Sequence, residues 1–317
     1  MPKVSVIIPV YGVERYIERC ARSLFEQTLD DMEYIFVDDC SKDNSICVLE
    51  NVIAQYPLRK EQIRIIHHEH NKGVSHARET GVGLATGEYI AHCDSDDWVE
   101  PEMYEAMYNY AKQNGCDYVK CAHVKTDGEN MRMVYHAKAG RDMSRDRVVR
   151  LMLQMKGWNS LWDTVVSREV YTKSGLKFTD NVMLEDFYLS VQLLCNSEKI
   201  GYIDVPWYNY FVNPESCCNT SDVASYVRRT LQAQANANWI MTYAKQYVSV
   251  RSEDIDTIKW VVKNMLVPIM DEKENRKVWQ EIYPELRHKV FMMRTISLRD
   301  KLRFYSAEFN LYKYFKR

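Results

Sequence analysis

The sequence predicts a doubly wound, mostly parallel α/β sheet flanked by helices and followed by a helical C-terminal extension. Three observations carry that expectation. The first 125 residues alternate short β-branched runs with helical stripes. Acidic turns stand where those runs end. From about residue 220 onward only helical periodicity remains. The 317 residues suffice for one large α/β domain with an appendage, or for two modest domains.

Val4–Val10 is a β-branched apolar run, as expected of a strand covered on both faces. Residues 13–29 then space Ile17, Ala21, Leu24 and Phe25 as one face of a helix. Residues 34–37 read as a strand, 38–43 as an acidic turn, and the stretch to Gln55 as a helix. The strand 63–66, the helix 74–85 and the strand 88–91 continue the alternation. Signals are mixed from 126 to 219, but no Gly/Ser linker separates this part from the first, so both are expected in one sheet. Residues 220–317 form the helical region, with helices expected over 223–248 and 255–269 and a last segment spacing Leu298, Leu302, Tyr305, Phe309 and Tyr312.

Composition narrows the function. Hydrophobic residues make up 46% of the chain and charged residues 27%, the balance of a packed protein. Forty-two Lys and Arg stand against 44 Asp and Glu, so no global charge advertises nucleic-acid binding. No apolar run approaches the roughly 20 residues of a membrane span. The run from Val4 to Val13 is broken by Pro9 and Gly12, and the N-terminus lacks the pattern of a secretory signal. Nine cysteines form no disulfide framework, Cys217–Cys218 is a lone vicinal pair, and no C-x-x-C suggests zinc. Reduced thiols and a cytoplasmic location are expected.

In a doubly wound sheet, ligands sit beyond the carboxyl ends of the strands, so the turns after Val10, Val37 and Ala91 matter most. The first, Pro9-Val10-Tyr11-Gly12, has neither G-x-G-x-x-G nor a Walker loop, which argues against a dinucleotide oxidoreductase. Tyr11 offers a ring that either stacks on a base or packs on the following helix. In the second turn, Ser41 and Asp43 suit helix capping, whereas Asp38 and Asp39 stand at the strand end. There a carboxylate accepts a ring N–H of uracil, or simply makes the turn. The third turn, Cys93-Asp94-Ser95-Asp96-Asp97-Trp98, is the strongest. On an extended strand end Asp94 and Asp96 face one side, and converging carboxylates call for a hard cation, Mg²⁺ or Mn²⁺, shared with phosphate. Pro101 marks the expected helix start, which leaves these acids too early to be caps. A fourth pair, Glu185-Asp186, opens an apolar helix. It serves either the helix dipole or, as a general base, an acceptor hydroxyl.

Taken together, these turns resemble the family 2 glycosyltransferases, which have the GT-A fold. The strings are VSVIIPVYGVERYI (4–17), SLFEQTL (23–29), YIFVDDCSKDNS (34–45), NKGVSHARETGVGLATGEYIAHCDSDDW (71–98) and LEDFYLSVQLL (184–194). The match is dense over the first ~120 residues, patchy from 140 to 216 and absent beyond. The resemblance implies a nucleotide-sugar-binding half over 1–125 and an acceptor-binding half over 126–219. Pro9 and Tyr11 would border the base and Asp39 would read its ring N–H. Arg78 would face the nucleotide or diphosphate, Asp94 the ribose side, and Asp96 would hold the metal, with Asp94 beside it. Asp186 would be the catalytic base supported by Glu185, and the anomeric centre would be inverted in one displacement. The implied partners are a nucleotide sugar, with UDP the expected nucleotide, and a glycan or lipid-linked acceptor in surface polysaccharide assembly. The chain departs from the family's frequent A-R-N-x-G at Ala77-Arg78-Glu79-Thr80-Gly81 and from W-N-K-L at Trp162-Asp163-Thr164-Val165. Tyr210-Phe211, followed by Asn213, stands where Tyr-Arg is frequent.

Two rivals are weighed against this. A sugar nucleotidylyltransferase would carry a Gly-rich basic loop after the first strand, which is not there. An inert GT-A scaffold is disfavoured by the intact Asp94, Asp96 and Asp186. His67, His68 and His70 end a strand and read as structural or exposed, because no third ligand accompanies His68 and His70 on one face. Trp158 and Trp162 read as core or as acceptor-pocket wall, where a sugar ring would stack. Residues 284–317 hold nine Lys/Arg and three Asp/Glu. That tail is either an amphipathic helix packed on the domain or a peripheral contact with an anionic inner membrane face.

Overall fold

In a computed structural model, residues 1–138, 143–173, 175–214, 222–270 and 273–309 are described. Cys217, Cys218 and Tyr312 lie outside the described residues.

The first half alternates as the sequence predicts: β1 (Val4–Val10), α1 (Ile17–Phe25), β2 (Met32–Asp38), α2 (Ser45–Ile53), β3 (Ile63–His67), α3 (Val74–Leu84) and β4 (Tyr89–His92). Then come β5 (Trp98–Val99), α4 (Met103–Asn114), β6 (Tyr118–Thr126), β7 (Arg132–Tyr135), α5 (Arg145–Leu153), β8 (Thr164–Ser167), α6 (Arg168–Lys173), α7 (Glu185–Asn196) and β9 (Ile200–Phe211). The helical region holds α8 (Val223–Tyr247), α9 (Ser252–Asn264), α10 (Lys273–Glu281) and α11 (Leu298–Glu308).

One sheet joins both halves, in the order β3-β2-β1-β4-β8-β6-β9-β5, with β7 paired to β6. The quartet β3-β2-β1-β4 is parallel. Beyond it the sheet is mixed: β8 runs antiparallel to β4 and β6, β9 is parallel to β6, and β5 is antiparallel to β9. Strand order reverses beside β1, so a crevice opens at the carboxyl ends of β1 and β4. Pro9 is tolerated inside β1 because pairing with β4 ends at Ile7–His92, leaving no ladder bond for its missing N–H.

Side chains alternate to two cores, one on each face. Val4, Val6, Ile8 and Val10 pack with α1, α2 and α4, whereas Ile7 packs toward α3, α7 and the C-terminal helices. Each such side chain contributes roughly 1.5–3 kcal/mol when fully buried. Gly81 lets α3 settle on β1, since a Cβ there would stand 2.4 Å from Ile7 Cγ2. The helical extension is not a separate layer. α8 packs on α7 through Trp239, stacked 4.0 Å from the Tyr188 ring.

Candidate active site

At the carboxyl ends of β1–β3, one carboxylate ties three elements together. The Asp39 amide donates to Val10 O at 2.9 Å. Its side chain is only 2% exposed. Asp39 Oδ1 accepts the Lys72 amide at 2.8 Å and Oδ2 the Gly73 amide at 2.7 Å, while His68 Nδ1 lies 2.7 Å from Oδ1. Gly73, at φ +88°, then turns the chain into α3. One acceptor position on Oδ2 is left over for a ligand N–H. Tyr11 stands exposed beside buried Pro9. His67 pairs with Asp38, and His68 also reaches Thr80 Oγ1, so both serve the turn. Among the described residues no cluster of three or more His, Cys, Asp or Glu is arranged to hold a metal ion.

The acidic motif after β4 is a turn, not the extended strand end expected from spacing. The Asp97 amide donates back to Asp94 O at 3.1 Å. Burial, then the Asp94 charge, push the Asp96 carboxyl above its ordinary value. Asn213 Nδ2 donates to Asp96 Oδ2 at 2.9 Å. Asp97 is buried and takes Tyr208 Oη–H and the Phe211 amide, both at 2.7 Å. It is therefore the structural acid of the three. Asp94 and Asp96 remain as hard oxygen donors whose mutual repulsion a divalent cation would relieve, so this donor set fits Mg²⁺ or Mn²⁺ completed by phosphate and water.

Arg78 joins this turn to the fourth acidic pair. Its guanidinium, 3% exposed, donates from Nη2 to Asp94 Oδ1 at 2.8 Å. Nη1 lies 2.8 Å from Asp186 Oδ1, an ion contact without hydrogen-bond alignment, and 3.5 Å from Glu185 Oε1. Burial opposes the Arg78 charge, but Asp186, Asp94 and Glu185 outweigh it and raise its pKa. Three carboxylates surround the Arg78 guanidinium, so it holds an intramolecular place between the two acidic turns. His92 is fully buried and held neutral by burial and by the Arg78 charge, with Nε2 3.1 Å from Tyr171 Oη.

Glu185 and Asp186 begin α7 after Leu184, which takes left-handed angles (φ 64°) that cost a branched residue free energy. A helix start favours the charged form, yet burial dominates here. It pushes both carboxyls up, with Arg78 opposing at Asp186 and the neighbouring acid adding to the rise at Glu185. Asp186 therefore has the raised basicity that a general base needs.

The segment 179–184 leading into α7 is held from two sides. The Thr179 amide donates to Ser75 Oγ of α3 at 3.1 Å. His76 Nε2 of α3 lies 2.7 Å from Asp180 Oδ1. From α8, buried Asn236 bonds Thr179, Asn181 and Met183. An open groove of about 820 Å³ runs between Asn181 and α8, lined by Val223, Val227, Arg228, Leu231 and Gln232.

The tryptophans do not meet the stacking expectation. Trp158 is fully buried and donates Nε1–H to Lys138 O at 3.0 Å. Trp162 is 8% exposed and stacks on Tyr208 (4.5 Å) and Tyr210 (5.5 Å). Neither offers a free ring face of useful size to a sugar, because both serve the packing of β6–β9. Beside them Lys120 and Asp163 form a buried ion pair, joined by Ser160 and by His123 Nδ1 at 3.2 Å. Sequence reasoning marked Asn213 and Asp163 only as departures from the family pattern, and it missed Asn236 and Lys120. An isolated buried-type Asn or Lys carries no periodic signal, and only the fold brings each to its partner.

Comparisons with known proteins bear on the family and the fold. The family described as "Glycosyl transferase family 2" matches residues 5–178. The uncharacterized glycosyltransferase EpsJ of Bacillus subtilis (strain 168) is 32% identical over 221 residues, 68% of this chain and 63% of EpsJ. Among solved structures, S. aureus TarS superposes with TM-score 0.66 at 17% identity, over 98% of this chain and 54% of that one. The mannosyltransferase PcManGT of Pyrobaculum calidifontis, in complex with GDP-Man and Mn²⁺, superposes with TM-score 0.57 at 15% identity, over 100% and 88%. At these identities the structural likeness establishes the GT-A fold. The chain spans under two thirds of the length of EpsJ and about half of the TarS chain.

Proposed function

Because the chain belongs to the family 2 glycosyl transferases, we propose that it moves a sugar, with inversion, from a nucleoside-diphosphate donor to a hydroxyl of a glycan or lipid-linked acceptor in surface polysaccharide assembly. One observation carries this reading: a single buried arginine gathers the donor-side Asp94 and the acidic pair Glu185-Asp186. In it, Pro9 and Tyr11 border the base and Asp39 receives its ring N–H. UDP is the nucleotide proposed, as in the TarS complex with UDP-GlcNAc. GDP, the nucleotide of the PcManGT complex, is the rival.

Asp186 takes the proton of the acceptor hydroxyl as its oxygen attacks the anomeric carbon. The bond from that carbon to the diphosphate oxygen breaks, and the electron pair leaves with the nucleoside diphosphate. Glu185 and Arg78 fix the charge and orientation of Asp186. Asp96, with Asp94 beside it, would hold Mn²⁺ or Mg²⁺, which when bound neutralises charge on the leaving diphosphate. Arg78, itself held by Asp94, transmits the geometry of the donor turn to the base. The groove between Asn181 and α8 replaces the tryptophans as the proposed acceptor path.

A cytoplasmic chain working against the inner membrane face belongs to the same proposal. No helix among the described residues is long and apolar enough to cross a membrane. However, α11 buries Phe304 and Ala307 while Leu298 and Leu302, with nearby Phe291 and Met292, are 63–74% exposed beside exposed Arg294 and Arg299. An apolar surface with basic flanks fits an anionic bilayer. Equal co-sedimentation of wild type and Leu298→Ser/Leu302→Ser with anionic vesicles would remove this part.

Calorimetric titration of UDP, and of GDP in parallel, with and without Mn²⁺ tests the donor site. Metal-dependent binding of one nucleotide, lost in Asp96→Ala, is the expected result. Binding of neither would overturn the reading in favour of an inert scaffold.

A further inference from the structure

We infer that Asn236, on the helix α8 beyond the family-matched segment, is a positioning residue for the base Asp186. The inference rests on Asp186 being that base. Asn236 is 2% exposed, and every hydrogen-bonding position of its amide faces the 179–184 segment. Its Oδ1 accepts Thr179 Oγ1–H at 2.9 Å and Asn181 Nδ2–H at 3.2 Å. Its Nδ2 donates to Met183 O at 2.8 Å and reaches Asn181 O at 3.5 Å. The orientation of the amide is fixed, because the Met183 carbonyl can only accept.

The segment so held is short. One residue separates Met183 from Glu185, and that residue is Leu184 in the left-handed region. Leucine keeps such angles only when its neighbours over-determine them. On the upstream side the Thr179 amide is already held by Ser75 of α3, the helix that carries Arg78. Asn236 supplies the other anchor, at the last carbonyl before the strained residue. Released from it, Leu184 relaxes toward ordinary angles and the first turn of α7 swings. The 2.8 Å contact of Asp186 with Arg78 and the aim of its carboxylate go with that turn. An error of about 1 Å in a reacting group costs on the order of 10²-fold in rate.

A residue that only stabilises the fold would behave differently. The donor side, built on β1, β4 and the acidic turn, shares no hydrogen bond with Asn236, so its affinity separates the two roles.

The test compares Asn236→Leu, close in size but without hydrogen bonds, with Thr179→Val, which removes the bond to Asn236 Oδ1 and the one accepted from the Asn181 amide and leaves α8 unchanged should the first variant fail to fold. Two readouts are taken with Mn²⁺: UDP affinity by calorimetry, and UDP release from whichever of UDP-glucose, UDP-galactose or UDP-GlcNAc the wild type turns over. A third, independent of turnover, is hydrogen–deuterium exchange of the peptide 179–188. For Asn236→Leu the expected result is release slowed roughly 10- to 100-fold, UDP affinity within twofold, and lost protection confined to 179–188. Thr179→Val should show the same pattern more weakly, and its effect should not add to that of Asn236→Leu. Wild-type protection of 179–188 in both variants, or affinity falling in step with rate, would overturn the inference. Asp186→Asn run alongside separates the premise: if it turns over at the wild-type rate, the base is misassigned, whatever the exchange data say of the clamp.

Discussion

Arg78 and Asp186, 108 positions apart in sequence, stand 2.8 Å from each other with Asp94 on the far side of the same guanidinium. One cation is therefore shared by acids from two different turns. Arg78→Met removes that charge and leaves three carboxylates facing one another. The expected loss is about 3–5 kcal/mol near pH 8. Without Arg78 the Glu185 and Asp186 carboxyls, already raised by burial, rise further above their unfolded values, so the folded variant binds protons more readily and its deficit shrinks as pH falls. Urea unfolding at pH 8 and pH 5 should therefore show a larger deficit at pH 8, and an equal deficit would contradict the shared-cation account.

Asp186→Asn keeps the shape of the site and removes the proton acceptor. UDP affinity should stay within about twofold while transfer falls by roughly 10²–10⁴-fold. In the wild type, burial holds the Asp186 carboxyl above its ordinary range, so it stays protonated to higher pH than an exposed aspartate. The acidic limb of the rate profile should consequently lie above the usual aspartate value near 4. A limb at that ordinary value would point to an exposed acid instead.

Lys120 and Asp163 are both almost wholly buried. Lys120→Met strands the Asp163 charge and should cost about 3–5 kcal/mol, whereas Lys120→Met/Asp163→Leu should recover much of it. Chemical denaturation of the two variants decides this. A double variant less stable than the single one would mean that Ser160 and His123 matter more than the pair.

His76 lies between Glu79 and Asp180, whose hydrogen bonds raise its pKa above the ordinary value, Asp180 contributing most. A raised histidine stabilises the fold fully below its unfolded pKa, and the contribution disappears as pH rises through the folded one. Amide exchange of 179–188 should thus quicken from about pH 6.5 upward in the wild type. In His76→Gln that quickening, beyond the intrinsic rise with pH, should be absent.

Much of the fold was legible in the sequence because local periodicity carries it. The runs around Ile7, Ile35 and Ile65 and the stripe of Ile17, Ala21 and Leu24 are near-neighbour patterns, and each became the element expected. The acids of the proposed site stood out for a related reason: Asp94, Asp96, Glu185 and Asp186 sit where an element starts or ends, and Asp94 and Asp96 lie too early to be caps of the next helix. The mixed second half was not legible. β8 is only Thr164–Ser167, too short for a period, and its place between β4 and β6 is decided by pairing across the sheet. Helix α4 begins at Met103, with Pro101 two residues earlier, since Glu102 takes the position before the first turn. Trp158 and Trp162 stayed open between core and pocket wall in the sequence because size and aromaticity look alike in both, and their burial decides for the core. What Arg78 touches depends on α7 arriving beside α3, and no spacing in the chain encodes that.

The strand β9 has a consequence for what counts as an indivisible unit of this chain. It threads between β6 and β5, and its end delivers Tyr208 and the Phe211 amide to Asp97, followed by Asn213 to Asp96. A fragment cut at the end of the family-matched region, residue 178, would keep every acid of the donor turn yet lose the groups that satisfy them. Such a fragment is a sequence module without being a folding module.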